Sequence, residues 1–180
     1  MTMPIAPGAT LRHVVAAVSS ILKKRGITAV LTGGACASLY TRGAYLSYDL
    51  DYILRGTVTR DQLDRAMADI AFTRLGAQYQ HPAVPFFVEF PPGPLAIGDD
   101  DLVEPVDIRV GNVRVSGLSA TDSCRDRLAA FYFWNDEQSL RVAAEIARRQ
   151  TVEIDTIRNW SRKEGHSRGF RRFEEEIGRG

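Results

Sequence analysis

Residues 27–54 read ITAVLTGGACASLYTRGAYLSYDLDYIL. Ile27 to Leu31 is short, apolar and rich in β-branched residues, the pattern of a buried strand. Gly33-Gly34 follows at once and opens a short helical stretch around Ala35 to Tyr40. Tyr48 to Leu54 then alternates and reads as a second strand. Residues two apart on a strand share a face, so Asp49 and Asp51 stand together. Tyr48, Leu50 and Tyr52 point the other way, toward apolar surroundings.

Adjacent carboxylates repel, and neither is easily left unpaired near a core. A divalent cation relieves that repulsion. Oxygen ligands at this spacing suit Mg²⁺ or Mn²⁺, which take one or two carboxylates together with phosphate oxygens and water. An isolated pair of this kind also fits two solvated acids on an open sheet face, or acids paired with Arg42 or Arg55. The glycines add a second element. They let backbone approach a ligand closely, and the N–H groups at a helix start favour phosphate. Alone, a Gly-Gly between strand and helix is plain turn geometry. Together the two features put a phosphate-binding turn one short helix ahead of a metal-binding strand.

Outward from this stretch, Leu11, Val14, Val15, Val18, Ile21 and Leu22 recur at helical spacing over residues 10–25, and Gly26 closes that helix. Thr59 and Gln62 form a capping box ahead of Leu63, Met67 and Ile70, a helix expected to end at Gly76. Phe86 to Phe90 reads as a third strand, stopped by Pro91-Pro92. Val106 to Val115 reads as a hairpin around Gly111-Asn112. After Ser119 the chain turns helical, over about 121–134, 136–149 and 151–164, with a break at Asn135-Asp136. The tail from Gly165 is expected to be loosely ordered. The order predicts an α/β (α+β) domain: a small mixed β-sheet flanked by helices, with a core over residues 1–118 and a helical C-terminal segment over 119–180 packed on it.

The 180 residues are 44% hydrophobic and 25% charged with a formal net charge of +1, so no global bias toward nucleic acid or membrane exists. No apolar stretch approaches the ~20 residues of a membrane span. The opening MTMPIAPGAT lacks a basic region followed by an apolar run, so no secretory signal is expected. Cys36 and Cys124 read as reduced, half-buried thiols in a cytoplasmic protein. His13, His81 and His166 have no ligand spacing. Trp134 and Trp160 are expected in helix packing. Arg162, Lys163, Arg168, Arg171 and Arg172 read as a solvated end rather than an RNA contact, since three glutamates follow. The absence of a Walker loop, a Rossmann glycine fingerprint and a G-x-S-x-G elbow removes three common α/β activities.

Leu31-Thr32-Gly33-Gly34 followed by Ser47-Tyr48-Asp49-Leu50-Asp51-Tyr52 resembles the signature of the nucleotidyltransferase superfamily with the DNA polymerase β-like fold. The nearest flavour is the AbiEii-like, minimal nucleotidyltransferase group of toxin–antitoxin and phage-defence systems. The resemblance covers about residues 27–54 and is looser over Ser119 to Trp160. It implies metal-dependent transfer of a nucleoside monophosphate from an NTP to a hydroxyl on RNA, protein or a small molecule. Asp49 and Asp51 would hold Mg²⁺ or Mn²⁺, and Gly33, Gly34 and Ser47 would lie against the nucleotide. Arg127 stands where similar proteins often carry a lysine to the triphosphate. It also fits a surface arginine paired with Asp122 or Asp126.

The family further needs a third carboxylate on a later strand. Glu89 and Asp107 both qualify, and Glu89 is favoured because Arg109 and Arg114 account for Asp107. Three other expectations follow. The same fold can serve as a non-catalytic nucleotide-binding or antitoxin module. A partner protein would accompany a toxin–antitoxin role. An acidic drug cleft from Asp99, Asp100 and Asp101 would instead suit an aminoglycoside-modifying enzyme.

Overall fold

The computed structural model describes residues 3–180. The first helix, α1 (Leu11–Lys24), starts where the Thr10 hydroxyl accepts from the His13 N–H and ends at Arg25, with Gly26 at a φ of 70°. Its apolar face lies fully in the core: Val14, Val15, Val18, Ile21 and Leu22 are all buried. Strand β1 (Thr28–Thr32) leads directly into α2 (Gly33–Tyr40), and β2 (Asp49–Arg55) follows. Between β1 and β2 the pairing is antiparallel, with Thr32 opposite Asp51. Helix α3 (Arg60–Ala68) carries the expected capping box, with both Thr59–Gln62 bonds made.

Helix α3 stops earlier than the sequence reading had it. Asp69 caps it, Ala71 takes a φ of 63°, and Phe72 turns into the core. Residues expected in the helix instead begin a hairpin of β3 (Thr73–Leu75) and β4 (Gln78–Gln80). Strand β5 (Phe87–Glu89) pairs antiparallel with β4 and parallel with β2. The expected hairpin forms as β6 (Val106–Val110) and β7 (Val113–Gly117), and β7 pairs parallel with β1. The result is one mixed seven-stranded sheet in the order β3-β4-β5-β2-β1-β7-β6. The fold is mixed α/β, a sheet flanked by helices, as the sequence indicates.

The C-terminal helices are α4 (Ala120–Trp134), α5 (Glu137–Arg149), α6 (Ile154–Lys163) and α7 (Ser167–Ile177). Asn135, left-handed at a φ of 54°, ends α4, and the Asp136 carboxylate starts α5 by accepting from Gln138 and Ser139. Helix α4 packs on α2 and α5, which ties this half to the sheet. One hydrophobic cluster runs from Leu11 to Phe173. Helix α7 corrects the expectation of a loose tail: Phe170 and Phe173 are buried, and Arg172 pairs with Glu137 on α5. Trp160 is buried, but Trp134 is 83% exposed, because α4 ends beneath it. Both cysteines are free and fully buried rather than half-buried, and burial pushes the Cys36 thiol up to about 12. Among the described residues no helix is long and apolar enough to cross a membrane.

Candidate active site

The strand register brings the acids together. Asp49 and Asp51 alternate on β2 with Leu50 and Tyr52, which are buried beneath the opposite face. Tyr48 shares their side but is 52% exposed and stacks on Phe86, with ring centroids 5.9 Å apart. Asp51 stands directly opposite Glu89 across the parallel β2–β5 pair, so both side chains rise from the same face. Asp107 lies elsewhere. It sits on β6, the outermost strand, and pairs with Arg114 at 3.6 Å, both well exposed.

Asp51 is the most perturbed acid of the group. Burial, then Glu89, then Asp49 raise its pKa from 3.8 to about 6. One of its oxygens lies over Gly33: a Cβ built there would meet Asp51 Oδ2 at 2.6 Å. Gly33 also has a φ of 64°, a conformation that costs an L-residue roughly 1–2 kcal/mol. At Gly34 a Cβ would meet Ser47 Oγ at 2.8 Å and the Tyr45 hydroxyl at 2.9 Å. This corrects the reason for the glycines. The space above them is taken by the protein's own Asp51, Ser47 and Tyr45, not kept open for a phosphate. Ser47 is part of the same clamp: its hydroxyl donates to the Asp49 carbonyl at 3.0 Å, and its N–H donates to Ser38 Oγ.

Thr32 and Gly33, at the start of α2, are buried but line a neighbouring cavity. Thr32, the cap residue, makes no side-chain bond to the helix N–H groups, and its hydroxyl turns back to the Asp51 carbonyl at 3.4 Å. Gly33→Ala is expected to destabilise the fold by about 1–3 kcal/mol through the strained φ and the Asp51 contact. Denaturant unfolding without any nucleotide measures it; an unchanged midpoint would contradict this account of the turn.

Beside the turn lies a cavity of about 300 Å³, lined by Thr32, Gly33, Asp51, Asp126 and Arg127 and by the apolar Pro91, Pro94, Leu95 and Leu118. That volume is at the lower end for small-molecule sites. Arg127 reaches it from α4 and bonds Asp126 Oδ2 through Nε at 3.2 Å and Nη2 at 2.8 Å, while Nη1 approaches Ser139 Oγ at 3.4 Å. Burial disfavours its charge, but Asp126, with Tyr45 and Asp51 behind it, outweighs burial and raises its pKa. Of the two partners the sequence offered Arg127, Asp126 is the one it takes; Asp122 pairs with Arg125. Asp49 and Glu89 lie outside the cavity lining, at its carboxylate side.

The donor chemistry suits a divalent cation: three carboxylates on one sheet face, with the nearest guanidinium engaged by Asp126. The three do not yet converge. Among the described residues no three His, Cys, Asp or Glu side chains stand close enough together to hold a metal ion. A larger cleft, about 580 Å³, lies between Asp99–Asp101 and α6, lined also by Arg125, Trp160 and Lys163. Arg125 pairs with Asp100 there, so the acidic run is partly neutralised and mixed in charge. Sequence reasoning missed Tyr45 and Gln78, neighbours of the site that carry no motif.

No family model matches the chain, and no curated protein matches it. Among solved structures it is similar to an antigenic nucleotidyltransferase-like protein from Paracoccidioides brasiliensis, with 15% identity, a TM-score of 0.61, and 92% of this chain and 94% of that chain covered. The antibiotic-resistance factor ANT(2'')-Ia also aligns, at 12% identity and a TM-score of 0.49, over 81% of this chain and 88% of that one. The first likeness establishes a nucleotidyltransferase-like fold.

Proposed function

We propose that the chain is a nucleotidyltransferase, moving a nucleoside monophosphate from an NTP to a hydroxyl acceptor. The observation that carries this reading is the register that sets Asp51 against Glu89, next to the uncapped start of α2 and to Arg127. Asp49, Asp51 and Glu89 are the residues that would hold Mg²⁺ or Mn²⁺. A divalent ion there would neutralise triphosphate charge and ease deprotonation of the acceptor hydroxyl.

The chain's own part is positioning and charge. Gly34 is covered by Ser47 and Tyr45, but Gly33 lines the cavity, and its N–H at the head of α2 would meet a phosphate there. Ser47 fixes the β2 strand start that carries Asp49. Arg127 lies across the cavity, within reach of the triphosphate once it exchanges Asp126 for phosphate oxygens. Pyrophosphate leaves on that side, and the acceptor enters from the side of Asp49 and Glu89. RNA, protein and small-molecule hydroxyls all remain acceptors of this reading, as does a place in a toxin–antitoxin or phage-defence pair of the AbiEii kind. The free, buried Cys36 and Cys124 fit a cytoplasmic setting.

A second reading is a binding module of the same fold, without turnover; the spread of the three carboxylates favours it. One experiment separates them. The protein is incubated with each α-labelled NTP and Mg²⁺ or Mn²⁺, alone and with total tRNA or lysate proteins. Label transferred to an acceptor supports the enzyme. NTP binding without label transfer supports the module. Neither binding nor transfer sinks both.

A further inference from the structure

Glu89 lies between two strands. On one side β2 sets Asp51 opposite it; on the other β4 sets Gln78 opposite it. Gln78 Nε2 donates a hydrogen bond to Glu89 Oε1. Both residues are half-buried. Among the described residues no arginine, lysine or histidine pairs with Glu89, whereas Asp107, Asp126 and Asp100 each have an arginine.

The difference is chemical. An arginine orients a carboxylate and also cancels its charge, and it competes with any cation for the same oxygens. A side-chain amide orients without cancelling. It occupies one oxygen and leaves the group's negative charge uncancelled on the sheet face shared with Asp51. Carboxylates that bind metal are commonly held by such outer hydrogen bonds, whose loss costs 10–100-fold in affinity. We propose that Gln78 is a positioning residue for Glu89, holding its carboxylate for a divalent cation shared with Asp49 and Asp51. This rests on the nucleotidyltransferase reading of those acids. It also gives the β3–β4 hairpin a role: that hairpin supplies the strand from which Glu89 is held.

The test is Mn²⁺ affinity, read from the free-ion electron paramagnetic resonance signal with no nucleotide present. The proteins compared are wild type, Gln78→Leu, Glu89→Gln and the double variant, each with its melting temperature. Gln78→Leu keeps the side chain's bulk and removes the donor. It is expected to weaken Mn²⁺ binding about 10-fold or more, with little change in melting temperature. In the Glu89→Gln background the same substitution should add nothing, because Gln78 acts through Glu89. A structural role for Gln78 would lower both affinities alike. Unchanged or tighter Mn²⁺ binding in Gln78→Leu, or an equal loss in both backgrounds, overturns this proposal while leaving the enzyme reading intact. No Mn²⁺ binding by the wild-type chain overturns both.

Discussion

Replacing Asp49 and Asp51 together with asparagine is expected to abolish Mg²⁺-dependent nucleotide binding and to stabilise the fold at pH 8. The two effects have one origin. Asp51 is buried beside Glu89 and Asp49, and its pKa is raised from 3.8 to about 6. The folded state therefore holds that proton more tightly than the unfolded chain does. The contribution of Asp51 to stability is greatest below about pH 4 and is lost as pH rises through about 6. At 1.36 kcal/mol per unit, a shift of about 2 units costs about 3 kcal/mol at most. Asparagine cannot ionise, so the variant should melt several degrees above wild type at pH 8 in chelator, with the gap closing at pH 4. Mg²⁺ and ATP should raise the wild-type melting point and leave the variant's unchanged. Calorimetry with ATP and GTP supplies the binding arm. Metal-dependent binding that survives in the variant would remove these two residues from the site.

The strand–turn–helix–strand at residues 27–54 was legible because its apolar runs, glycines and alternation all point to one arrangement. The register of β2 against β5 could not be read, because pairing partners 38 residues apart, such as Asp51 and Glu89, leave no periodic trace. The β3–β4 hairpin was missed for a physical reason. Thr73, Arg74 and Leu75 are all exposed, so β3 shows no inward-outward alternation. Only Tyr79 on β4 is buried, too little to outweigh the helical spacing of Leu63, Met67 and Ile70. Gln78 was lost with it. Helix α7 did leave a signal: Phe170, Phe173 and Ile177 recur at helical spacing. The surrounding arginines and glutamates masked it, although Arg158 and Arg172 spend their charge on Glu174 and Glu137. The glycine turn was located correctly but explained by the wrong occupant, since the contacts of Gly33 and Gly34 come from residues 11 to 18 positions downstream.

Glu89→Gln is expected to reduce nucleotidyl transfer by about 10³-fold while leaving NTP binding within a few-fold of wild type, and Asp107→Asn to change neither. The two acids lie on strands four places apart in the sheet order, counted from β5 to β6 through β2, β1 and β7. Asp107 is exposed and spends its charge on Arg114, on the outer strand. Its loss removes a surface ion pair worth about 0–1 kcal/mol and nothing else. Among the described residues Glu89 has no cation partner; it stands opposite Asp51 and accepts a hydrogen bond from the Gln78 amide. Glu89 does not line the cavity that Gly33 and Arg127 share. The isosteric amide keeps the packing and the strand pairing, so a loss of transfer in Glu89→Gln comes from charge rather than from misfolding. Single-turnover transfer measured beside equilibrium NTP binding separates the two quantities. Equal loss of both would move Glu89 into the nucleotide pocket. Full transfer by Glu89→Gln would take Glu89 out of the catalytic set and leave Asp49 and Asp51 as a two-carboxylate site.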